Sequence, residues 1–175
     1  MTIFKKNWTY LLGVATCAFA LLSQPVSASH SKLDDYFQEC PWLGLVAEEI
    51  TYGPITISKV DLEDGSRFVI ADPGESLHGK LKYKINTKDI DSLRFYHLVI
   101  GLNEQGAHDC VTHSLGVSNS KGRGKFHLVA PEKPGIYEVR VAFIKAMTCG
   151  EAREEWNSGR QAPSSSATIG VIIVN

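Results

Sequence analysis

The chain has 175 residues, of which 43% are hydrophobic, and 18 Lys and Arg stand against 19 Asp and Glu. That is enough apolar material for one domain with a real core. No basic run exceeds two or three residues, which argues against a nucleic-acid partner, because phosphate binding needs a clustered positive face. No internal repeat appears at the periods of solenoids or propellers.

The first 28 residues read as a secretory signal. Lys5 and Lys6 precede an apolar run from Tyr10 to Leu22, Pro25 breaks it, and Val26-Ser27-Ala28 offers small residues for cleavage after Ala28. Ser23, Gln24 and Pro25 interrupt the run where processing requires it, which disfavours an uncleaved anchor. Thr16 is a poor residue before Cys17 for lipid attachment. The mature chain is expected to begin at Ser29, to be periplasmic or secreted, and to fold where disulfides persist. The signal takes two lysines and no acid with it, so the mature chain is slightly acidic. No second apolar stretch is long enough to cross a membrane.

A short helix is expected next. Ser31 caps it, Asp34 and Asp35 occupy its first turn, Leu33, Tyr36, Phe37 and Cys40 share one face, and Pro41 ends it. Thereafter the periodicity is that of strands. Pro54 to Val60 is the first, and Glu63-Asp64-Gly65-Ser66 turns into Arg67 to Ala71. Asp72-Pro73-Gly74 turns again. Lys80 to Ile85 alternates, with Leu81, Tyr83 and Ile85 inward and lysines outward. Leu93 to Leu102 is a longer buried strand. Residues 103–125 read as a glycine-rich loop with a short strand at Val111 to Val117, and Phe126 to Ala130 is the next strand. Ile136 to Ile144 sets Tyr137, Val139, Val141 and Phe143 on one face. A polar segment, 145–166, carries a helical turn at Glu151 to Trp156, and Ala167 to Val174 closes the chain.

Pro134-Gly135-Ile136-Tyr137-Glu138-Val139-Arg140-Val141 resembles the penultimate strand of immunoglobulin-like and fibronectin-type domains. There a tyrosine near the strand start bonds back to the preceding corner and the last strand follows after a loop, a place that Ala167 to Val174 fills. The fold class that follows is all-β: an antiparallel immunoglobulin-like β-sandwich of seven to nine strands with a short N-terminal helix. The domain plan is a signal peptide at 1–28, a helix and lead-in at 29–53, and the sandwich at 54–175. An architecture transfers no activity.

Cys40, Cys110 and Cys149 remain after processing, an odd number that implies one bridge and one further thiol, or an intermolecular pair. In the sandwich topology the loop after Ile144 lies at the end where the first strand starts, which favours Cys40–Cys149. Cys110–Cys149 is the alternative, available if 103–125 folds back.

His108, Cys110 and His113 form the densest set of candidate ligands, and copper or zinc would accept them. On an extended strand His113 points away from the other two. A nucleophilic Cys110 with His113 as base and Asp109 as orienter would have to stay reduced in an exported protein. Cleavage one residue later would expose His30 as an N-terminal copper chelator. Ser118 to Lys125 has the composition of a phosphate-binding loop without its spacing, so its cations read as solvated. Trp42 and Trp156 are candidate aromatics for stacking on a glycan or anchoring a protein, against the plainer role of plugging the sandwich end. No paired acids, nucleophile elbow or zinc-protease helix appear in the mature chain. The resulting expectation is an exported, non-enzymatic binding or structural module that contacts a protein or surface glycan through its 103–125 and 145–166 loops. A copper- or zinc-binding protein and an enzyme of unrecognised type are the alternatives.

Overall fold

The computed structural model describes residues 48–63, 65–90, 95–103, 105–115 and 120–175, with the side chains of 112–115 excepted. The signal, the helix expected from Ser31 to Cys40, and Trp42 lie outside the described residues. Among the described residues nine strands form two sheets. The four-stranded sheet has the order β1 (Glu49–Tyr52), β2 (Ile55–Asp61), β4 (Ser76–Ile85), β7 (Lys121–Val129). The five-stranded sheet has the order β3 (Phe68–Ala71), β9 (Thr168–Val174), β8 (Gly135–Lys145), β5 (Tyr96–Leu102), β6 (Gly106–Leu115). One α-helix is described, α1 (Cys149–Asn157), near the C-terminal end of the chain.

Alternation decides which side of each strand is buried. In β4, Leu77, Leu81, Tyr83 and Ile85 point into the core, and in β7 Phe126 and Leu128 do the same. They meet Leu98, Ile100 and Leu102 of β5 and Tyr137, Val139 and Val141 of β8 from the opposite sheet. Two inward glycines make room for aromatics across the ladder. Gly79 is paired with Phe126, whose ring occupies the place a Cβ would take, and Tyr83 lies the same way over its partner Gly122. At one end of the sandwich the rings of Tyr96 and Phe143 stack 4.9 Å apart.

The expectation of a purely antiparallel sandwich is corrected. β3 pairs with β9 in parallel, Phe68 opposite Val171 through Ala71 opposite Val174, so the five-stranded sheet is mixed. Only strands joined by a hairpin are obliged to run antiparallel. β3 enters this sheet from β2 in the other one and meets the last strand of the chain, so no hairpin constrains its direction. Within 103–125 the expected short strand is corrected to a longer one, β6, and β7 begins already at Lys121, with Lys121 to Lys125 paired with β4 along its whole length. β1 lies in the lead-in segment upstream of Pro54 and adds an edge strand to the first sheet.

The tyrosine corner is formed. The Tyr137 hydroxyl donates to the Lys133 carbonyl at 2.9 Å, fixing the turn between β7 and β8. α1 is capped by Thr148, whose hydroxyl accepts from the Glu151 N–H at 3.2 Å, while the Glu151 carboxylate accepts from the Met147 N–H at 2.8 Å. The helix buries Ala152 and Trp156 against Val99, Ala107, Cys110, Ala142 and Ile144, forming a second, smaller core on the outer side of the five-stranded sheet.

These two features should differ in their cost when removed. Tyr137→Phe loses the hydrogen bond to Lys133 and is expected to destabilise the domain by about 1 kcal/mol. Trp156→Ala empties the second core and is expected to cost about 3–5 kcal/mol. Urea unfolding of both variants checks the order, and equal losses would contradict the packing described.

Candidate functional site

The β4–β7 ladder is unbroken from Ser76 opposite Val129 to Lys84 opposite Lys121. Because the core takes one set of alternate positions, the other set forms a continuous outer face. On it Lys80 stands opposite Lys125, Lys82 opposite Arg123, and Lys84 opposite Lys121. Three successive rungs therefore carry a cation on both strands. The rungs are about 6.8 Å apart and the strands about 4.8 Å apart, so the strip is long and narrow.

Like charges directly opposite one another destabilise a sheet. Lysine on an edge strand is a common guard against unwanted strand pairing, and β7 is an edge strand. That accounts for one side of the strip only, because β4 lies inside the sheet between β2 and β7.

Lys59 adds to the charge. The β2–β4 register slips between Ser58 and Asp61, and in this bulge Lys59 takes φ 51°, a left-handed conformation that side chains other than glycine rarely adopt. From there its ammonium faces Lys82. The charges of Lys59 and Arg123 hold the Lys82 ammonium below the ordinary lysine range. A lowered lysine pKa means that the folded state is penalised while Lys82 is charged, and the penalty lifts as pH climbs through the depressed value toward 10.5.

Acids on this face are few. Asp61 reaches Lys80 at 3.0 Å and accepts from the Gly65 N–H at 2.9 Å. Burial raises the Asp61 pKa, and the hydrogen bonds from Lys80 and Gly65 with the Lys80 charge outweigh it, leaving the group below its usual range. Glu49, opposite Ser58, marks the far border. Between them β2 presents Thr56 and Ser58 beside Lys84 and Lys82, and the Thr56 hydroxyl lies 3.0 Å from that of Thr51.

Beyond Lys80 and Lys125 the next rung pairs His78 with His127, their rings 5.1 Å apart, and His127 Nε2 lies 3.2 Å from the Ser76 hydroxyl. The His127 N–H donates to Asp109 of β6 at 2.9 Å, and the same carboxylate accepts from the Cys110 N–H at 2.8 Å. Asp109 thus stitches the edge of one sheet to the edge of the other. The side chain of His113, the histidine it was expected to orient, lies outside the described residues.

The structure disperses the other candidate residues. Cys110 is bonded to Cys149, with Cα atoms 6.1 Å apart, so the favoured Cys40–Cys149 bridge is replaced by the alternative pairing. The reason is the β5–β6 hairpin: it doubles back, setting Cys110 opposite Val99, which pairs with Ala142 of β8 shortly before Cys149. Cys40 lies outside the described residues. With its sulfur in a bridge, Cys110 offers no thiolate to copper, zinc or a substrate, which corrects its place in the His108, Cys110 and His113 set. Among the described residues no three His, Cys, Asp or Glu gather as ligands, and the His113 side chain lies outside them. Trp156 is 4% exposed, buried beneath α1 where the bridge pins the helix, so it is unavailable for stacking on a ligand.

His108 sits in a surface depression lined by Val129, Pro131, Glu132 and Tyr137. Burial lowers its pKa, Arg153 and His127 lower it further, and Asp109 opposes them. The 145–166 segment is tied down. Arg160 bonds back to Glu155 at 2.7 Å, and Arg140 holds the Pro163 carbonyl at 3.1 Å.

No family model and no curated protein matches this sequence. The solved structures to which this chain is similar include two of one domain. One is a solution NMR structure of the CARDB domain of a Pyrococcus furiosus protein, at 12% identity and a TM-score of 0.35, covering 69% of this chain and 94% of that one. The other is a crystal structure of that domain in complex with di-metal ions, at 13% identity and a TM-score of 0.36, covering 72% of this chain and 91% of that one. The chain's own strand order makes it a two-sheet β-sandwich with one mixed sheet. The likeness stops there: residues and ligands do not carry over.

The two K-x-K-type triplets, Lys80-Leu81-Lys82-Tyr83-Lys84 and Lys121-Gly122-Arg123-Gly124-Lys125, were the available signal for the cationic strip. Read singly, each is a solvated strand edge. Only the register brings them together.

The lowered His108 pKa has a direct consequence. The folded state resists protonation where the unfolded chain accepts it, so this contribution is present above pH 6.5 and is lost as pH falls through the depressed folded value. His108→Gln should flatten the stability profile on the acid side of 6.5, read by urea unfolding at stepped pH. An unchanged slope would contradict the assignment.

Proposed function

We propose that this chain is an exported, non-enzymatic binding module whose contact surface is the outer face of the four-stranded sheet. Its partner is a surface glycan or a protein that presents negative charge. The observation that carries this reading is the set of three like-charged rungs on β4 and β7. An arrangement that opposes folding is retained where it serves binding. The two sheets also differ in what covers them. Among the described residues the five-stranded sheet has α1 over its outer side, and none lies over the cationic face of the other sheet.

Export is supported by the leader from Lys5 to Ala28 and by the Cys110–Cys149 bridge, which belongs to an oxidising compartment. The loops have less claim as contact surfaces, because 145–166 spends its polar groups on internal bonds and 103–125 is mostly sheet.

The test is retention by the cell envelope of the native host. Purified mature protein is mixed with washed envelopes and sedimented, alongside Lys82→Glu/Arg123→Glu. The wild type is expected in the pellet and the variant in the supernatant. Equal sedimentation of the two would remove the sheet face from consideration.

A further inference from the structure

We infer that the β4–β7 face binds a linear polyanionic glycan, laid along the strands with its carboxylate or sulfate groups over successive rungs. This rests on the binding-module reading above and narrows its partner to one chemical class.

The shape of the charge argues first. The cations are confined to two neighbouring strands and the Lys59 bulge, with Glu49 bounding the field on the β1 side. A strip one ladder wide suits a polymer chain. An anionic lipid surface would be matched by a broad field or by apolar side chains to insert, and this strip has neither.

The chemistry of the outward side chains argues second. Binding of single-stranded nucleic acid uses aromatic platforms for the bases, but the aromatics of β4 and β7, Tyr83 and Phe126, both point into the core. A protein partner is held mainly by a buried apolar or aromatic anchor at the centre of the contact, and the three rungs offer none. What they offer instead is separated point charges flanked by the hydroxyls of Thr56 and Ser58. Lysine is a compact charge on a flexible stem, suited to a polymer whose anionic groups vary in position, and Arg123 supplies the one fork for a bidentate carboxylate or sulfate.

The energetics agree. A bound polyanion would place negative charge among Lys59, Lys82 and Arg123, whose mutual repulsion depresses the Lys82 ammonium in the free protein. Binding therefore relieves an existing repulsion as well as forming new ion pairs. It should be strongly salt-dependent, because each cation engaged releases a counterion from the polymer.

The experiment uses mature protein and defined probes: polygalacturonate, dextran sulfate, neutral dextran, a poly(dT) oligonucleotide, and phosphatidylglycerol vesicles. Affinities are compared for the wild type, for Lys82→Gln/Arg123→Gln, and for Lys145→Gln as a control cation at the end of β8. Circular dichroism confirms that all three are folded. The expected result is binding of at least one anionic polysaccharide and none of dextran. The double variant should lose about tenfold or more in affinity and Lys145→Gln should match the wild type. Raising salt from about 50 to 200 mM should weaken wild-type binding severalfold. Equal binding by the double variant would overturn the site. Tighter binding of poly(dT) or of vesicles would overturn the glycan in favour of nucleic acid or membrane. If neither anionic polysaccharide binds while envelope retention still depends on Lys82 and Arg123, the glycan inference fails and the binding-module reading stands.

Discussion

The register between β4 and β7 is the constraint on which the rest of the molecule depends. Leu77, Leu81, Tyr83 and Ile85 must face the core, as must Phe126 and Leu128, and the two glycines at 79 and 122 set which residues can lie opposite the aromatics. A slip of one residue would turn each of these side chains to solvent. The same register then leaves no freedom to the outward positions. Lys80, Lys82 and Lys84 are brought against Lys125, Arg123 and Lys121 because the apolar half of each strand is satisfied only in this alignment. Charge repulsion opposes the pairing, and burial of the inner residues, at about 25 cal/mol per Å² of apolar surface, overrides it.

The other sheet is finished differently. Its outer side carries Val99, Ala142 and Ile144, which would be an exposed apolar patch without α1. The helix supplies Trp156 and Ala152 to cover it, and the bridge from Cys149 to Cys110 in β6 holds the first turn of the helix in place. Closing a loop between cysteines 39 residues apart restricts the unfolded chain by roughly 3–4 kcal/mol in the entropy model. Asp109, next to Cys110, joins the edge of this sheet to that of β7. Among the described residues one side of the sandwich is thus occupied by structure, while the cationic side is uncovered.

Much of this architecture can be read from the sequence, and the reasons differ by element. The strands at 55–61, 68–71, 96–102, 135–145 and 168–174 follow from alternation and turn residues, which are local signals. The Tyr137 corner follows from a proline-glycine turn placed before the strand. Pairing is not local. Nothing in Phe68 to Ala71 says that its neighbour is the last strand, and nothing in Gly106 to Leu115 says that it doubles back to bring Cys110 to Cys149. Charged residues surround Trp156 in the sequence, which leaves a stacking role and a plugging role both open. The helix turns its one apolar face inward and buries the ring. The cationic strip was hidden for the same reason as the bridge. Its two triplets are some forty residues apart, and neither is basic enough alone to stand out.

The central claim is that the outer face of β4 and β7 is held against its own repulsion. The most direct measurement is thermal unfolding of wild type and Lys82→Gln/Arg123→Gln at low ionic strength and at high salt. At low ionic strength, removing two mutually repelling charges is expected to raise the melting temperature of the variant above that of the wild type. The gap should close at high salt, where the repulsion is already screened. A variant that melts below the wild type at low ionic strength would mean that these cations stabilise the sheet, and the account of the face as a binding surface kept at the expense of stability would be wrong.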